Sequence, residues 1–286
     1  MFDFKNKKVL ITGGGVGIGR ATAEAFAKSG ARVAIIEINP ERAADAKAAL
    51  PADALVIEGD VTKVEDVARA AKDVEAAFGG IDVLVNNVGD FLNIVKPFEY
   101  MSDEEIAKLY SYNLHHVFLV TRAFIPLLKK SGPGSSIVTV SSVEGFRGIP
   151  NGSIYAACKS GITGFTQTLA LELAQYGIRV NLIAPETTET PQVPITAYIP
   201  PENMKYLPNW IPLARFGKPE DMASGILFLA SEHASWITGT ALHINGGVLA
   251  AAGWYKDIGG VWTNLPIVTD NGLGFKKSEN AFDKSV

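Results

Sequence analysis

Apolar residues fall in short unbroken runs separated by longer stretches in which they recur every three or four positions. The run Val9-Leu10-Ile11 reads as a buried strand, and residues 18–29 follow with helical spacing until Gly30 stops them. The alternation then repeats. Strands are predicted at 32–37, 54–58 and 81–85, with helices at 41–50, opened by Pro40, and at 64–78. One long helix is predicted over about 103–130 although it holds Pro126. A strand at 136–141, a helix at 153–176, a strand at 179–183, a helix at 219–230 and a last strand at 241–244 complete the series. Strands that are apolar through their length have no wet face, so the sheet must be parallel and covered on both sides by the intervening helices. The expectation is an α/β protein with a single doubly wound parallel sheet of seven strands, helices on both faces, spanning residues 1–247.

Two stretches break the rhythm. Residues 185–219 are rich in proline and carry Tyr198, Tyr206, Trp210 and Phe216. A loop this long inside a compact domain is usually a functional lid or disordered, and aromatics argue against disorder. A substrate lid is therefore expected at about 191–216. Residues 248–286, with Trp254, Tyr255, Trp262 and Phe275, read as a C-terminal extension that packs on the domain or on a neighbouring subunit. There is no internal repeat and no low-complexity tract.

Composition narrows the partners. Twenty-six basic against 30 acidic side chains give a net charge of −4, and 47% of the 286 residues are hydrophobic. That excludes a disordered chain and any bulk attraction to nucleic acid or an anionic membrane. The single cysteine, Cys158, leaves no intramolecular disulfide to point to an oxidising compartment. No run of about 18 apolar residues occurs, nor a signal-type apolar segment near Met1. The expectation is a soluble cytoplasmic protein that takes a small molecule, with neither nucleic acid nor membrane as partner.

The first strand runs into Thr12-Gly13-Gly14-Gly15-Val16-Gly17-Ile18-Gly19 and then into a helix. Glycines between a strand and a helix let backbone amides approach a pyrophosphate at the helix N-terminus, where the dipole favours an anion. Eighteen residues after Gly19, Glu37 ends the second strand; a carboxylate there accepts from ribose hydroxyls and repels a 2′-phosphate. No cation lies within the turn or directly after Glu37, where Ile38-Asn39 follows, so NAD is expected over NADP. Tyr155 and Lys159 lie four apart on one helix face, where a nearby ammonium favours the phenolate over the phenol. Ser142 ends a strand at the sheet's carboxyl edge, where its hydroxyl reaches a substrate oxygen.

The TGxxxGxG spacing, Asp60-Val61, Asn86-Asn87-Val88-Gly89, Asn113, Ser142 thirteen residues before Tyr155, the Tyr155–Lys159 YxxxK, the Asn181–Thr190 segment and Asn245-Gly246-Gly247 together resemble the short-chain dehydrogenase/reductase family over about residues 5–247. The resemblance implies a Rossmann-type domain that binds the dinucleotide through Gly13, Val16, Gly17, Ile18, Gly19, Glu37, Asp60, Val61, Asn87, Val88, Gly89, Tyr155, Lys159, Pro185, Thr188 and Thr190. It implies catalysis by Asn113, Ser142, Tyr155 and Lys159, with Asn113 holding a water that links Lys159 to solvent. It also implies a homotetramer or homodimer, paired through the helices beginning near Asp103 and Ser153, the latter carrying Ile162, Phe165, Leu169 and Leu173.

The sequence departs from that pattern at Pro185-Glu186, where the family has Pro-Gly, at Thr188 for Val or Ile, and at Val88 for Ala. Glu186 reads either as a substrate contact or as a solvated side chain. Glu144, Phe91 and Phe146 are expected along the substrate pocket. Ser141 and Cys158 read as structural, and His115-His116 as surface or interface residues. No metal set is seen, His233 and His243 included. The leading expectation is an NAD-dependent enzyme interconverting a secondary alcohol and a ketone, on a bulky hydrophobic substrate of cyclic, terpenoid or steroid-like shape. The alternatives are a 3-oxoacyl-thioester reductase, which usually prefers NADPH and fits Glu37 poorly, and a non-catalytic dinucleotide-binding regulator.

Overall fold

Seven strands lie side by side in the computed structural model, which describes residues 2–199, 201–256 and 262–263. In chain order the elements are β1 (Lys8–Thr12), α1 (Gly17–Lys28), β2 (Arg32–Glu37), α2 (Pro40–Ala49), β3 (Leu55–Glu58), α3 (Val64–Phe78) and β4 (Val83–Asn86). Then come α4 (Asp103–Tyr110), α5 (His116–Ser131), β5 (Ser136–Val140), α6 (Ser153–Ala174) and β6 (Arg179–Pro185). The short helices α7 (Ile195–Tyr198) and α8 (Leu207–Trp210) precede α9 (Pro219–Ala230), β7 (Ala241–Ile244) and α10 (Val248–Ala251). All seven strands pair in parallel in the order β3-β2-β1-β4-β5-β6-β7. Beyond them, β8 (Tyr255–Lys256) and β9 (Trp262–Thr263) form a small antiparallel pair.

The unbroken apolar runs are explained by two cores, one on each face of the sheet. Leu10, Ile36, Leu84, Ile137 and Val180 pack with residues of α3, α5 and α6, among them Val74, Phe124 and Leu169. Residues that point the other way from the same strands, Ile11, Ile35, Val85, Val138 and Ile183, pack with Phe26 of α1 and Ile226 of α9. Each such side chain contributes about 1.5–3 kcal/mol of burial, so a polar substitution on either face is costly. Strand order reverses between β1 and β4, and this opens a crevice at their carboxyl ends.

Two expectations about elements are corrected. The predicted long helix is two helices, α4 and α5, joined by a π turn at Ser111–His115. The cause is local: the Asn113 amide donates to the Leu109 carbonyl (3.0 Å), taking an acceptor that the helix ladder would otherwise use. The proline-rich stretch is not irregular. It winds into α7, a 3₁₀ turn at Pro201–Tyr206 and α8, and Leu207, Ile211 and Phe216 form a small core with Val248 of α10.

The helix face assigned to subunit pairing is also corrected. Ile162, Leu169 and Leu173 are buried within this chain's own cores, and Phe165 packs edge-on against Phe118 at 4.8 Å. The covering helices use that face because the sheet has two apolar sides to fill. No helix among the described residues is long and apolar enough to cross a membrane. Most of the C-terminal extension, Phe275 included, lies outside the described residues.

Candidate active site

The crevice is the mouth of a cavity of about 750 Å³ that runs along the carboxyl edge of the sheet. Gly13, Val16, Gly17 and Ile18 line it at the start of α1. That helix has no side-chain cap at Val16, so its first amides are free for an anion. Gly19 lies one turn deeper, outside the lining, and a Cβ there would collide with the Gly13 carbonyl. Its role is to let the turn and the helix approach. Asn87 braces the same turn from β4: its amide donates to the carbonyls of Thr12 (3.0 Å) and Gly13 (3.2 Å).

At one end of the cavity Glu37 is buried, accepting from the backbone N–H groups of Gly15 (3.0 Å) and Asn39 (3.1 Å). Asp60 and Val61 line the wall beside it. Asp60 is fixed by accepting from the Thr62 N–H and hydroxyl at 2.8 and 2.7 Å. Arg42, in the first turn of α2, lines the same end. The sequence reading missed it because it looked only at the residues directly after Glu37. Uncapped helix amides in the middle, a carboxylate at one end and a cavity longer than either feature fit a dinucleotide.

At the other end Ser142, Tyr155 and Lys159 line the cavity. Asn113 is fully buried behind it; its amide donates to the Asp90 carbonyl (2.8 Å) and its oxygen accepts the Asp90 N–H (3.0 Å). Gly89 lies at the junction: a Cβ there would come within 2.8 Å of Lys159 Nζ and 3.2 Å of Asn113 Oδ1. Lys159 is buried, donates to the Val140 carbonyl (3.1 Å), and its Nζ sits 5.5 Å from the centre of the Tyr155 ring. Burial pushes its ammonium down to about 8. Burial pushes the Tyr155 phenol up, and a hydrogen bond with Ser142 only partly opposes it. Desolvation by the surrounding protein outweighs the pull toward phenolate expected from Lys159. The Phe91 ring stacks on Tyr155 with centroids 3.9 Å apart.

The segment after β6 closes this end. Pro185, Thr188 and Thr190 line the cavity, and Thr190 lies over Gly17. Glu186 is buried, not solvated, and faces Arg147, a residue the sequence reading passed over. Glu144 lines the pocket as expected and pairs with the same arginine. Between residues 191 and 216, Gln192, Val193 and Trp210 are the described residues that reach the lining, with Gln192 donating to Asp90. Phe216 belongs to the small core it forms with Leu207, Ile211 and Val248, and the Tyr206 side chain is not part of the lining.

Two placements are corrected. Phe146 is exposed, packs edge-on against His243 at 4.6 Å, and lies outside the pocket lining. His116, expected at a surface or interface, is fully buried and its ring nitrogens have no hydrogen-bond partner among the described residues. The π turn carries it inward, and burial, with the charge of Lys159 adding, pushes it down to about 3. Cys158 is buried and Ser141 donates to the Lys159 carbonyl (3.0 Å), which ties β5 to α6. Among the described residues no three His, Cys, Asp or Glu side chains group as a metal site.

Comparison with known proteins is consistent with this geometry. The family model described as Enoyl-(Acyl carrier protein) reductase matches residues 14–249. The 2,5-dichloro-2,5-cyclohexadiene-1,4-diol dehydrogenase LinX of Sphingobium indicum is 40% identical over 84% of this chain and 95% of its own. The 3-oxoacyl-(acyl-carrier-protein) reductase FabG of Thermotoga maritima is 39% identical over 86% of this chain and 98% of its own. A crystal structure titled short-chain dehydrogenase/reductase SDR:Glucose/ribitol dehydrogenase, from Brucella melitensis, superposes with a TM-score of 0.79 at 34% identity, covering 86% of this chain and 98% of that one.

Proposed function

This chain belongs to the short-chain dehydrogenase/reductase family of oxidoreductases, and we propose that it interconverts a secondary alcohol and a ketone with NAD(H), on a bulky ring substrate. The observation that carries the reading is one cavity with Glu37 at one end and Ser142, Tyr155 and Lys159 at the other, Asn113 standing behind them. A binder of dinucleotides has no use for the second group. NAD, when bound, supplies the hydride acceptor and a positive ring that favours loss of the phenol proton.

In oxidation Tyr155 Oη takes the proton of the substrate hydroxyl; in reduction it returns one to the forming alkoxide. Ser142 Oγ donates to the same substrate oxygen. Lys159 Nζ holds the nicotinamide ribose and stabilises the phenolate. Asn113 positions a water through which the proton leaves. Glu37 accepts from the adenosine ribose hydroxyls and excludes a 2′-phosphate, while Thr188 and Thr190 hold the nicotinamide side. A ring-shaped substrate is supported by the apolar lining of Phe91, Ile149, Pro150, Val193 and Trp210, and by the ring diol in the name of the Sphingobium relative.

The test is NADH formation from a panel of cyclic and open-chain alcohols, with NADP as the competing cofactor. Higher kcat/KM with NAD and with ring alcohols is expected; equal use of NADP, or a preference for small open-chain polyols, rejects the reading. Glu37→Ala should raise relative use of NADP, the more so with Arg42 already beside it. The identity to the Thermotoga FabG favours a second reading, reduction of a 3-oxoacyl thioester. Turnover of an acetoacetyl thioester with NADPH exceeding that of every ring ketone with NADH would select it.

A further inference from the structure

Two buried carboxylates grip one arginine at the substrate end of the cavity. Arg147 Nη2 and Nε donate to Glu144 Oε1 and Oε2 at 2.8 and 3.3 Å, and Nη2 lies 2.8 Å from Glu186 Oε2. Glu186 Oε1 is taken by Thr187, which donates its N–H (2.9 Å) and its hydroxyl (3.0 Å). The carboxylate side chains are 11% and 6% exposed and the arginine 30%, so the guanidinium is the accessible face of the group and the acids stand behind it. Arg147 Nη1 has no hydrogen-bond partner among the described residues, and all three residues line the cavity that holds Ser142 and Tyr155.

A guanidinium locked by two acids still offers N–H donors, yet the group as a whole carries an excess negative charge. It therefore suits an oxygen that accepts a hydrogen bond without bringing charge of its own. A carboxylate, phosphate or sulfate gains nothing from an arginine that is already neutralised, and meets the second acid behind it. An unsubstituted hydrocarbon ring would leave the donors desolvated and unpaired. We infer that Glu144, Arg147 and Glu186 form a specificity site for a second, uncharged oxygen, hydroxyl or keto, carried by the substrate away from the carbon that reacts. The inference rests on the alcohol–ketone reading above and narrows its substrate class to ring diols and hydroxyketones. Glu186, at the position where the family pattern has glycine, is the residue that gives the site its net sign.

The test compares cyclohexanol, 1,4-cyclohexanediol and 4-hydroxycyclohexanecarboxylate as substrates of the full-length enzyme with NAD. The diol should exceed cyclohexanol in kcat/KM by on the order of 10- to 100-fold, as for a site built to hydrogen-bond its ligand, with the carboxylate lowest. Glu186→Gln removes the excess charge and should raise the carboxylate relative to the diol by about tenfold. If that variant does not fold, Arg147→Lys, which keeps the charge and loses the fork, should lower the preference for the diol over cyclohexanol. Cyclohexanol matching the diol in the wild type, or a Glu186→Gln ratio that does not move, overturns the inference. If none of the three yields NADH, the alcohol–ketone reading is what fails. Calorimetric affinities of the three for the NADH-bound protein then decide the specificity site alone: the same order supports it and equal affinities overturn it.

Discussion

His116 carries two ring nitrogens into a buried site where neither has a well-formed hydrogen-bond partner among the described residues, and it stays neutral there because burial pushes its imidazole down to about 3 from an ordinary 6.5. The unfolded chain takes up the proton near 6.5 and the folded chain does not. Stability from this residue is complete above pH 6.5 and falls by about 1.4 kcal/mol per unit as pH drops toward 3. Denaturant midpoints at pH 6.5 and 5 should show about 2 kcal/mol less acid loss in His116→Leu than in the wild type; equal losses would contradict this account. The sequence shows such a residue only as a histidine beside another. Its burial depends on the π turn, and no periodicity announces that. That Tyr155, Lys159 and Ser142 share one cavity was legible because their spacing places them on one helix face and one strand end. Arg147 was not, since what gives it meaning is Glu186, 39 positions later in the chain.

The junction of α4 and α5 shows how an element is bent to serve the site. Asn113 takes the Leu109 carbonyl out of the helix ladder and fixes the Asp90 backbone from both sides. Asn113→Leu should leave those buried groups unpaired and cost about 1–3 kcal/mol of stability. It should also lower kcat more than it weakens NADH binding, since Asn113 stands behind Lys159 and does not line the cavity. Thermal melts, turnover and NADH titration together check this; weaker NADH binding with unchanged kcat would contradict it. Residues 103–130 read as one helix because a five-residue π turn preserves the apolar period on either side. Residues 185–219 read as a loop for the opposite reason: four-residue helices such as α7 and α8 are too short to show a period, and prolines obscure what little there is. The five inner strands β1, β2, β4, β5 and β6 were visible because both faces of each are covered, so each reads as a nearly solid apolar run, while the edge strands β3 and β7 are only partly buried.

For the whole molecule, seven parallel strands joined by crossovers leave few possible orders, and the cleft falls where the order reverses, between β1 and β4. The state of assembly was less legible, because the helix face assigned to a partner turned out to fill this chain's own core. Trp236 and Leu171 are nonetheless 99% and 80% exposed, and a homodimer or homotetramer remains the expected state. Light scattering should return a multiple of 30.5 kDa, with Trp236→Ala shifting the population toward monomer; a monomer at micromolar concentration would contradict it. In the proposed function this cavity moves a hydride between a ring alcohol and NAD with Tyr155 as the acid and base. Burial pushes that phenol up, so oxidation should accelerate with rising pH, and Tyr155→Phe should lose that dependence together with its turnover. The most direct measurement sets ring-alcohol oxidation by Tyr155→Phe beside its NADH affinity, titrated by fluorescence. The account predicts a fall in kcat of about 100-fold or more with the affinity held within a few-fold; a variant that keeps more than about a tenth of wild-type turnover contradicts it.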